Sequence, residues 1–432
     1  MSIRSGSYGA ALRLLRLLSP PLSRGNSKLA VGLRGRMGAR ESLAAWGRSR
    51  PDPGRPSVWL HAPSVGEGLQ ARAVLERLRA RLPAVEAAYT FFSPSAETFS
   101  RSLPAGVASY LPWDVPSEMD ALLADLSPAL VGFTKTEVWP GLTAAADARG
   151  IPVVLLAATL EPGAGRLRPG ARQFLRPAFA SLSRVFAVAA EDAGRFEWLG
   201  VPPERIEVTG DPGIDSAWTR AREARPRAPY LLPFRGDPRP TLVAGSTWED
   251  DEEILIPAAA ALASWKPRPR VIVAPHEPRP AHLAKLERRS RRAGLATIRL
   301  GEVERRGSDG GCDVVIVGRL GVLAHLYTVG TVAYVGGGFG RAGLHSVLEP
   351  AAAGLPVLVG PRYRTSRPAR DLVALGAGEA VSGTSGLVGS IRRLFAGDDL
   401  REETAARASG YIERHRGAAE RTAEAIRRII GP

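Results

Sequence analysis

The strongest constraint in this chain is a pattern that runs twice: short apolar runs, each followed by a Gly- or Ser-containing turn and then a helical stretch. The first series is VWLHA (58–62), AAYTFF (87–92), ALVGF (129–133), PVVLLAA (152–158), VFAVA (185–189) and IEVTG (206–210). Helical stretches such as Leu69–Leu82 and Ser117–Leu126 separate them. Strands joined through helices must run parallel, with helices covering both faces of the sheet. A second series follows: TLVAG (241–245), RVIVAP (270–275), ATIRL (296–300), DVVIVG (313–318), TVAYVGG (331–337) and PVLVGP (356–361). Between the two, residues 219–240 carry Pro226, Pro229, Pro233, Pro238 and Pro240 with little periodicity, the composition of a linker. The expectation is an α/β protein of two doubly wound domains, 51–218 and 241–398, facing each other across a cleft. Asp399–Ile430 reads as one long amphipathic helix within a closing segment, 399–432, that packs across the domain junction.

Charge separates the start of the chain from the rest. The formal net charge is +15, and residues 1–50 hold ten basic side chains against Glu41 alone, a local charge of +9. Within this leader, Tyr8–Leu18 places Leu12, Leu15 and Leu18 at helical spacing beside Arg13 and Arg16, and Ser19-Pro20-Pro21 is expected to stop it. Too short to span a bilayer, such a helix suits the lipid interface. A core helix with solvated arginines and a secretory signal are the competing readings. Cys312 is the one cysteine, which excludes a disulfide framework and cysteine-based metal sites.

In open parallel sheets ligands bind beyond the carboxyl ends of the strands, so the residues after each strand carry the chemistry. His61-Ala-Pro-Ser64-Val-Gly66-Glu67 opens a helix after the first strand. A carboxylate there is stabilised by the helix dipole and is ready to accept a proton, although Ser64-x-x-Glu67 is also a capping box. Ser246 and Thr247 start a helix in the second series, where free amides could hold a phosphate, or where the acidic run that follows merely complements the dipole. Gly338, Gly340 and Gly343 satisfy G-x-G-x-x-G, but the acid expected about 20 residues on is missing, which argues against a nicotinamide enzyme. A glycine loop able to cradle a nucleotide phosphate remains, with Glu349 one helical turn after His345 on the same face. His61, His276 and His345 fall at strand ends without metal-ligand spacing, and neither a metal nor a cofactor is expected.

In order, HAPSVGEGLQARAVLE, FTKTEVWP, VTGDPGID, AGSTWEDDEEIL, VAPHEP and YVGGGFGRAGLHSVLEPAAAGLPVLVGP resemble the 3-deoxy-D-manno-octulosonic acid (Kdo) transferases of lipopolysaccharide assembly. The resemblance implies a GT-B glycosyltransferase with two Rossmann-like domains, the first for the acceptor and the second for the nucleotide sugar. CMP-Kdo would be the donor and a lipid A precursor the acceptor, at the cytoplasmic face of the inner membrane. The leader would then be the membrane-associating segment. Glu67 matches the family's general base and Glu137 a second motif glutamate, with Ser64, Gly66 and Lys135 on the acceptor side. Ser246, Thr247, His276, Glu277, Gly337, Gly338, His345, Ser346 and Glu349 fall on the donor side. Thr159 and Gly213 stand where arginines are frequent, Ser346 where asparagine is usual, and Gly318-Arg319 replaces an acidic residue. Lost arginines weaken the grip on anions. Three readings compete: a GT-B transferase with another sugar nucleotide or lipid acceptor, a catalytically silent homologue at the membrane, and a nucleic-acid-binding protein. Against the last, the charge excess is confined to the leader and the body lacks interleaved aromatic and basic residues.

Overall fold

The computed structural model describes residues 3–50, 52, 54–223 and 228–431. The chain divides into two units, one running to Ser216 and taking up the residues from Arg416 onward, the other Ala217–His415. In the first unit β1 (Ser57–His61), β2 (Glu86–Phe91), β3 (Val107–Tyr110), β4 (Leu130–Thr134), β5 (Val153–Ala158), β6 (Arg184–Ala187) and β7 (Ile206–Val208) form one parallel sheet in the order β3-β2-β1-β4-β5-β6-β7. The second unit builds β8 (Thr241–Thr247), β9 (Arg270–Pro275), β10 (Thr297–Arg299), β11 (Val314–Ile316), β12 (Val332–Val335), β13 (Val357–Val359) and β14 (Gly378–Ala380) into a parallel sheet ordered β10-β11-β9-β8-β12-β13-β14. Both sheets are α/β and doubly wound, as expected. Central strands such as β1, β4, β5 and β9 are buried at every position, because helices cover both faces and leave no solvated side for polar residues to occupy.

Four expectations change. The leader is not a separate segment: its helices Ile3–Leu22, Lys28–Met37 and Ala39–Arg48 belong to the first unit. Ala39 and Leu43, one turn apart, are buried in its core clusters, and Arg16, Arg48 and Arg50 pair with Glu118, Asp125 and Glu86. The first helix also runs through Pro20 and Pro21 to Leu22 rather than ending at Ser19. The missing amide of Pro20 leaves the carbonyl of Arg16 open, and Ser19 Oγ donates to that oxygen at 2.7 Å.

The closing segment is two helices, Asp398–His415 and Ala418–Ile430. They part at Gly417, whose φ of 90° no helix accommodates. The second of them lays Ala419, Ala423 and Ile426 into the core of the first unit. Finally, the Pro-rich stretch is largely structured: helix Pro212–Glu223 enters it, and Asp237 receives hydrogen bonds from Arg239 and, at 2.8 Å, from the buried Arg270. Pro226 lies outside the described residues.

Candidate functional site

Each sheet reverses its winding once, between β1 and β4 and between β8 and β12, and in open α/β sheets ligands bind beyond the carboxyl ends of the strands at such a reversal. Most of the residues singled out from the sequence lie at the ends of these four strands or on the segments leaving them, and His276 and Glu277 follow the neighbouring β9.

In the first unit, β1 delivers His61, and Ser64 precedes the helix Val65–Arg81. The capping box is not formed, since Ser64 makes no side-chain bond to the helix amides. Its hydroxyl donates instead to Glu67 Oε2, while Lys135 Nζ donates to Glu67 Oε1 at 3.0 Å. Burial raises the Glu67 carboxyl, yet the charge of Lys135 and the hydrogen bonds from Ser64 and Lys135 outweigh it and hold the group below the usual carboxylate range. Lys135 reaches this position from a left-handed backbone, φ 69°, an unfavourable conformation for a side-chain-bearing residue. A Cβ on Gly66 would meet only Ser64 Oγ, at 3.9 Å, so close packing does not require this glycine.

Glu137 stands behind. His61 is fully buried, and its Nε2 lies 3.6 Å from Glu137 Oε2, too long for a hydrogen bond. The hydroxyl of Thr90 accepts from Trp59 Nε1 at 3.0 Å and lies 3.1 Å from His61 Nδ1. Donating to Nδ1 would leave the ring proton on Nε2, toward Glu137. Burial pushes His61 down, so the ring is neutral. Glu137 is pushed up by burial and pulled down more strongly by His61 and by Arg166.

Sequence reasoning passed over three neighbours of this site. Arg36 packs its guanidinium 4.3 Å over the Phe92 ring and near Trp113 and Trp139; burial lowers it to about 10, and Glu137 and Asp114 pull it back. Asp114 accepts from the amides of Gly141 and Leu142 and from Tyr8, tying the first helix to the start of helix Pro140–Ala148. Asp211 is half-buried, and desolvation pushes it up; Gln70 and the Gly213 amide donate to it at 2.8 and 2.7 Å, and Lys135 lowers it. A Cβ on Gly213 would sit 2.9 Å from Asp211 Oδ1, so this acid relies on Lys135 for nearby positive charge. Thr159 gives its hydroxyl to Asp192 at 3.2 Å.

In the second unit, β8 bulges between Gly245 and Thr247, and the extra residue, Ser246, takes φ 53°. Thr247, expected to hold the donor, is buried and gives its hydroxyl to Glu252 at 3.1 Å. The glycine loop is also partly committed. Gly337 donates its amide to Asp251 at 2.8 Å, and a Cβ on Gly338 would come 2.6 Å from the Gly360 amide nitrogen, so crowding of two backbones explains both glycines. Residues 341–347 are not helical, so His345 and Glu349 do not share a helix face; Glu349 is in an ion pair with Arg220. Ser346 is exposed and accepts from the Leu348 amide at 3.3 Å. Glu277 pairs with Arg279 at 2.7 Å.

His276 and His345 do come together. Their rings stack with centroids 4.1 Å apart, and Trp248 packs on both while its Nε1 donates to His345 Nε2 at 2.9 Å. Burial and the charge of His276 push His345 down to about 4.

A family model described as 3-deoxy-D-manno-octulosonic-acid transferase (kdotransferase) matches residues 33–216. A 3-deoxy-D-manno-octulosonic acid transferase of Bordetella pertussis is 31% identical over 399 residues, 89% of this chain and 90% of that protein. The Haemophilus influenzae protein of the same name is 25% identical over 386 residues, 87% of each. Among solved structures, a UDP-GlcNAc 2-epimerase from Neisseria meningitidis bound to UDP-GlcNAc superposes with a TM-score of 0.59 at 17% identity, covering 83% of this chain and 99% of that one. A glycosyltransferase from Rickettsia africae gives 0.56 at 10% identity, covering 87% and 99%. At these identities the structural matches show the fold alone, a GT-B-like pair of seven-stranded sheets.

Proposed function

Because this chain belongs to the 3-deoxy-D-manno-octulosonic acid transferase family of glycosyltransferases, we propose that it transfers Kdo from CMP-Kdo to a lipid A precursor with inversion. The observation that carries the proposal is the state of Glu67: ionised, directed by Ser64 and Lys135, and standing where the winding of the first sheet reverses. In the proposed step Glu67 takes the proton of an acceptor hydroxyl. The oxygen forms a bond to the anomeric carbon of Kdo, and the bond from that carbon to the CMP phosphate oxygen breaks, so that CMP leaves with the electron pair. Glu137, beside the buried ring of His61, orients the acceptor. In the second unit, Ser246, His276 and His345 meet the nucleotide sugar. Helix starts and remaining loop amides offset the charge gathering on the leaving phosphate.

The first helix supports a place at the cytoplasmic face of the inner membrane. Leu14, Leu15, Leu17, Leu18 and Leu22 are all more than half exposed, while Arg13 and Arg16 turn inward to Ser117 and Glu118. An unpaired apolar helix face of this kind is suited to the headgroup boundary. Among the described residues no helix is long and apolar enough to cross a membrane.

Mass spectrometry of a lipid A precursor incubated with CMP-Kdo and the protein tests the reading. One added Kdo mass or more is expected, and Glu67→Gln should lower the rate by roughly 10² to 10⁴, the usual contribution of a general base. Release of a nucleotide only from a different sugar nucleotide would refute it.

A further inference from the structure

We propose that Trp248 fixes the proton of His345 on Nδ1, making this ring a neutral hydrogen-bond donor to the anionic part of a nucleotide held by the second unit. The ligand half of this rests on the transferase reading above; the tautomer half does not. An indole N–H can only donate, so the 2.9 Å bond from Trp248 Nε1 requires Nε2 of His345 to be an acceptor. The proton of the neutral ring then sits on Nδ1. That atom has no protein partner among the described residues, and the ring is half-buried.

Protonating His345 means turning Nε2 from acceptor to donor, which sets two N–H groups head to head. It also places a cation against the ring of His276, 4.1 Å away from the end of β9. Among the described residues the nearby acids have other partners, Glu277 beside His276 pairing with Arg279. Asp251, from the helix after β8, is used by Tyr334, the Gly337 amide and the Trp248 amide. Asp250 of the same helix lies toward Gly340. Glu349, on the segment following His345, is held by Arg220. Arg362 reaches the loop only to donate to the Gly340 carbonyl, and Arg341 is exposed. The surroundings therefore favour the uncharged ring, in line with its depressed value of about 4.

A neutral donor has a specific use beside a phosphate. It grips the anion through a directed hydrogen bond without adding an ion pair to the departing nucleotide, and its grip does not change across the physiological pH range. Trp248 acts here as a positioning residue, since it reaches the ligand through His345.

The test is nitrogen-15 NMR of the full chain labelled at histidine, with His345 assigned from a His345→Asn sample. The expected spectrum has Nδ1 protonated and Nε2 unprotonated, unchanged from pH 8 to pH 5. Trp248→Phe keeps an aromatic ring and removes the donor, and the titration midpoint of His345 should then rise above its value in the unmodified protein, while burial and His276 still hold it below the ordinary histidine value of about 6.5. A proton on Nε2, or titration of His345 near that value in the unmodified protein, overturns the proposal, as does an unaltered midpoint in Trp248→Phe. Titration with CMP tests the ligand half. His345→Ala should weaken CMP about tenfold, in keeping with one lost hydrogen bond to an anion, and His345→Asn, which keeps a donor, should recover part of that loss. Equal affinities in all three proteins overturn the ligand half. Absence of CMP binding to the unmodified protein overturns that half together with the transferase reading, and leaves the tautomer result to be judged by the spectra.

Discussion

Lys135 sets the working range of Glu67, and replacing it gives a sharp expectation. Its Nζ lies 3.0 Å from Glu67 Oε1, and the lysine side chain is 46% exposed, so solvent screens the pair and a water-like dielectric applies. At that distance the attraction is about 1.4 kcal/mol, which corresponds to about one pKa unit. The folded value of Glu67 is depressed, so its carboxylate form, and with it the proposed proton transfer, is present above that value and lost as pH falls through it. Lys135→Met should therefore move the acid limb of the kcat/KM profile up by about one unit. Lys135→Arg keeps the charge and should leave the limb close to its original position. Lys135→Gly removes both the charge and the strain of φ 69°, so it should show the same shift as Lys135→Met without a folding penalty. Initial rates of Kdo transfer from pH 3 to pH 9, at saturating CMP-Kdo, provide the measurement. An acid limb that does not move in Lys135→Met and Lys135→Gly would mean that the titrating base is not Glu67.

Two other perturbations follow from the same geometry. Asp114→Ala strands the buried amides of Gly141 and Leu142 and the hydroxyl of Tyr8, so urea denaturation should show the first unit losing about 2 kcal/mol, the upper range for a lost helix cap. Replacing Leu14, Leu17 and Leu18 together with aspartate should abolish flotation with anionic lipid vesicles, because each exposed leucine returned to water forfeits about 1.5 kcal/mol or more of burial. Transfer to a water-soluble acceptor fragment should persist in that variant, and vesicle binding that survives would place the lipid contact elsewhere.

What the sequence revealed and what it hid follow from the range of each interaction. Most of the strands that were legible are central ones, where burial on both faces demands an unbroken apolar run, although the edge strands β7 and β10 were legible too. β3, with the sequence VASY, and β14, with GEA, are edge strands of four and three residues whose positions are mostly half-buried or exposed, so neither carries that signal. The break at Gly417 was hidden because the apolar spacing on either side of it is nearly continuous. Local signals at the site misled in both directions: the G-x-G-x-x-G match and the threonine of the G-S-T turn pointed to groups that the fold uses for its own bonds or close packing, whereas the capping box suggested a structural use that Ser64 does not make.

The groups that set the site's chemistry are paired over distances no local pattern encodes. Lys135 reaches Glu67 from 68 residues away, Trp248 reaches His345 from 97, and Thr90 reaches His61 from 29. In each case one side chain fixes the charge or proton of another by a single directed contact across adjacent strand ends, which is where a parallel sheet brings distant segments together. The substitutions that look most damaging in the sequence read differently in this light. Gly213 offers Asp211 no cation, but Lys135 bears on both Asp211 and Glu67. Thr159 offers none either, but Arg166, seven residues further on, acts on Glu137. Positive charge therefore reaches these carboxylates from other positions, and two of them, Glu67 and Glu137, follow the strands between which the winding of the sheet reverses.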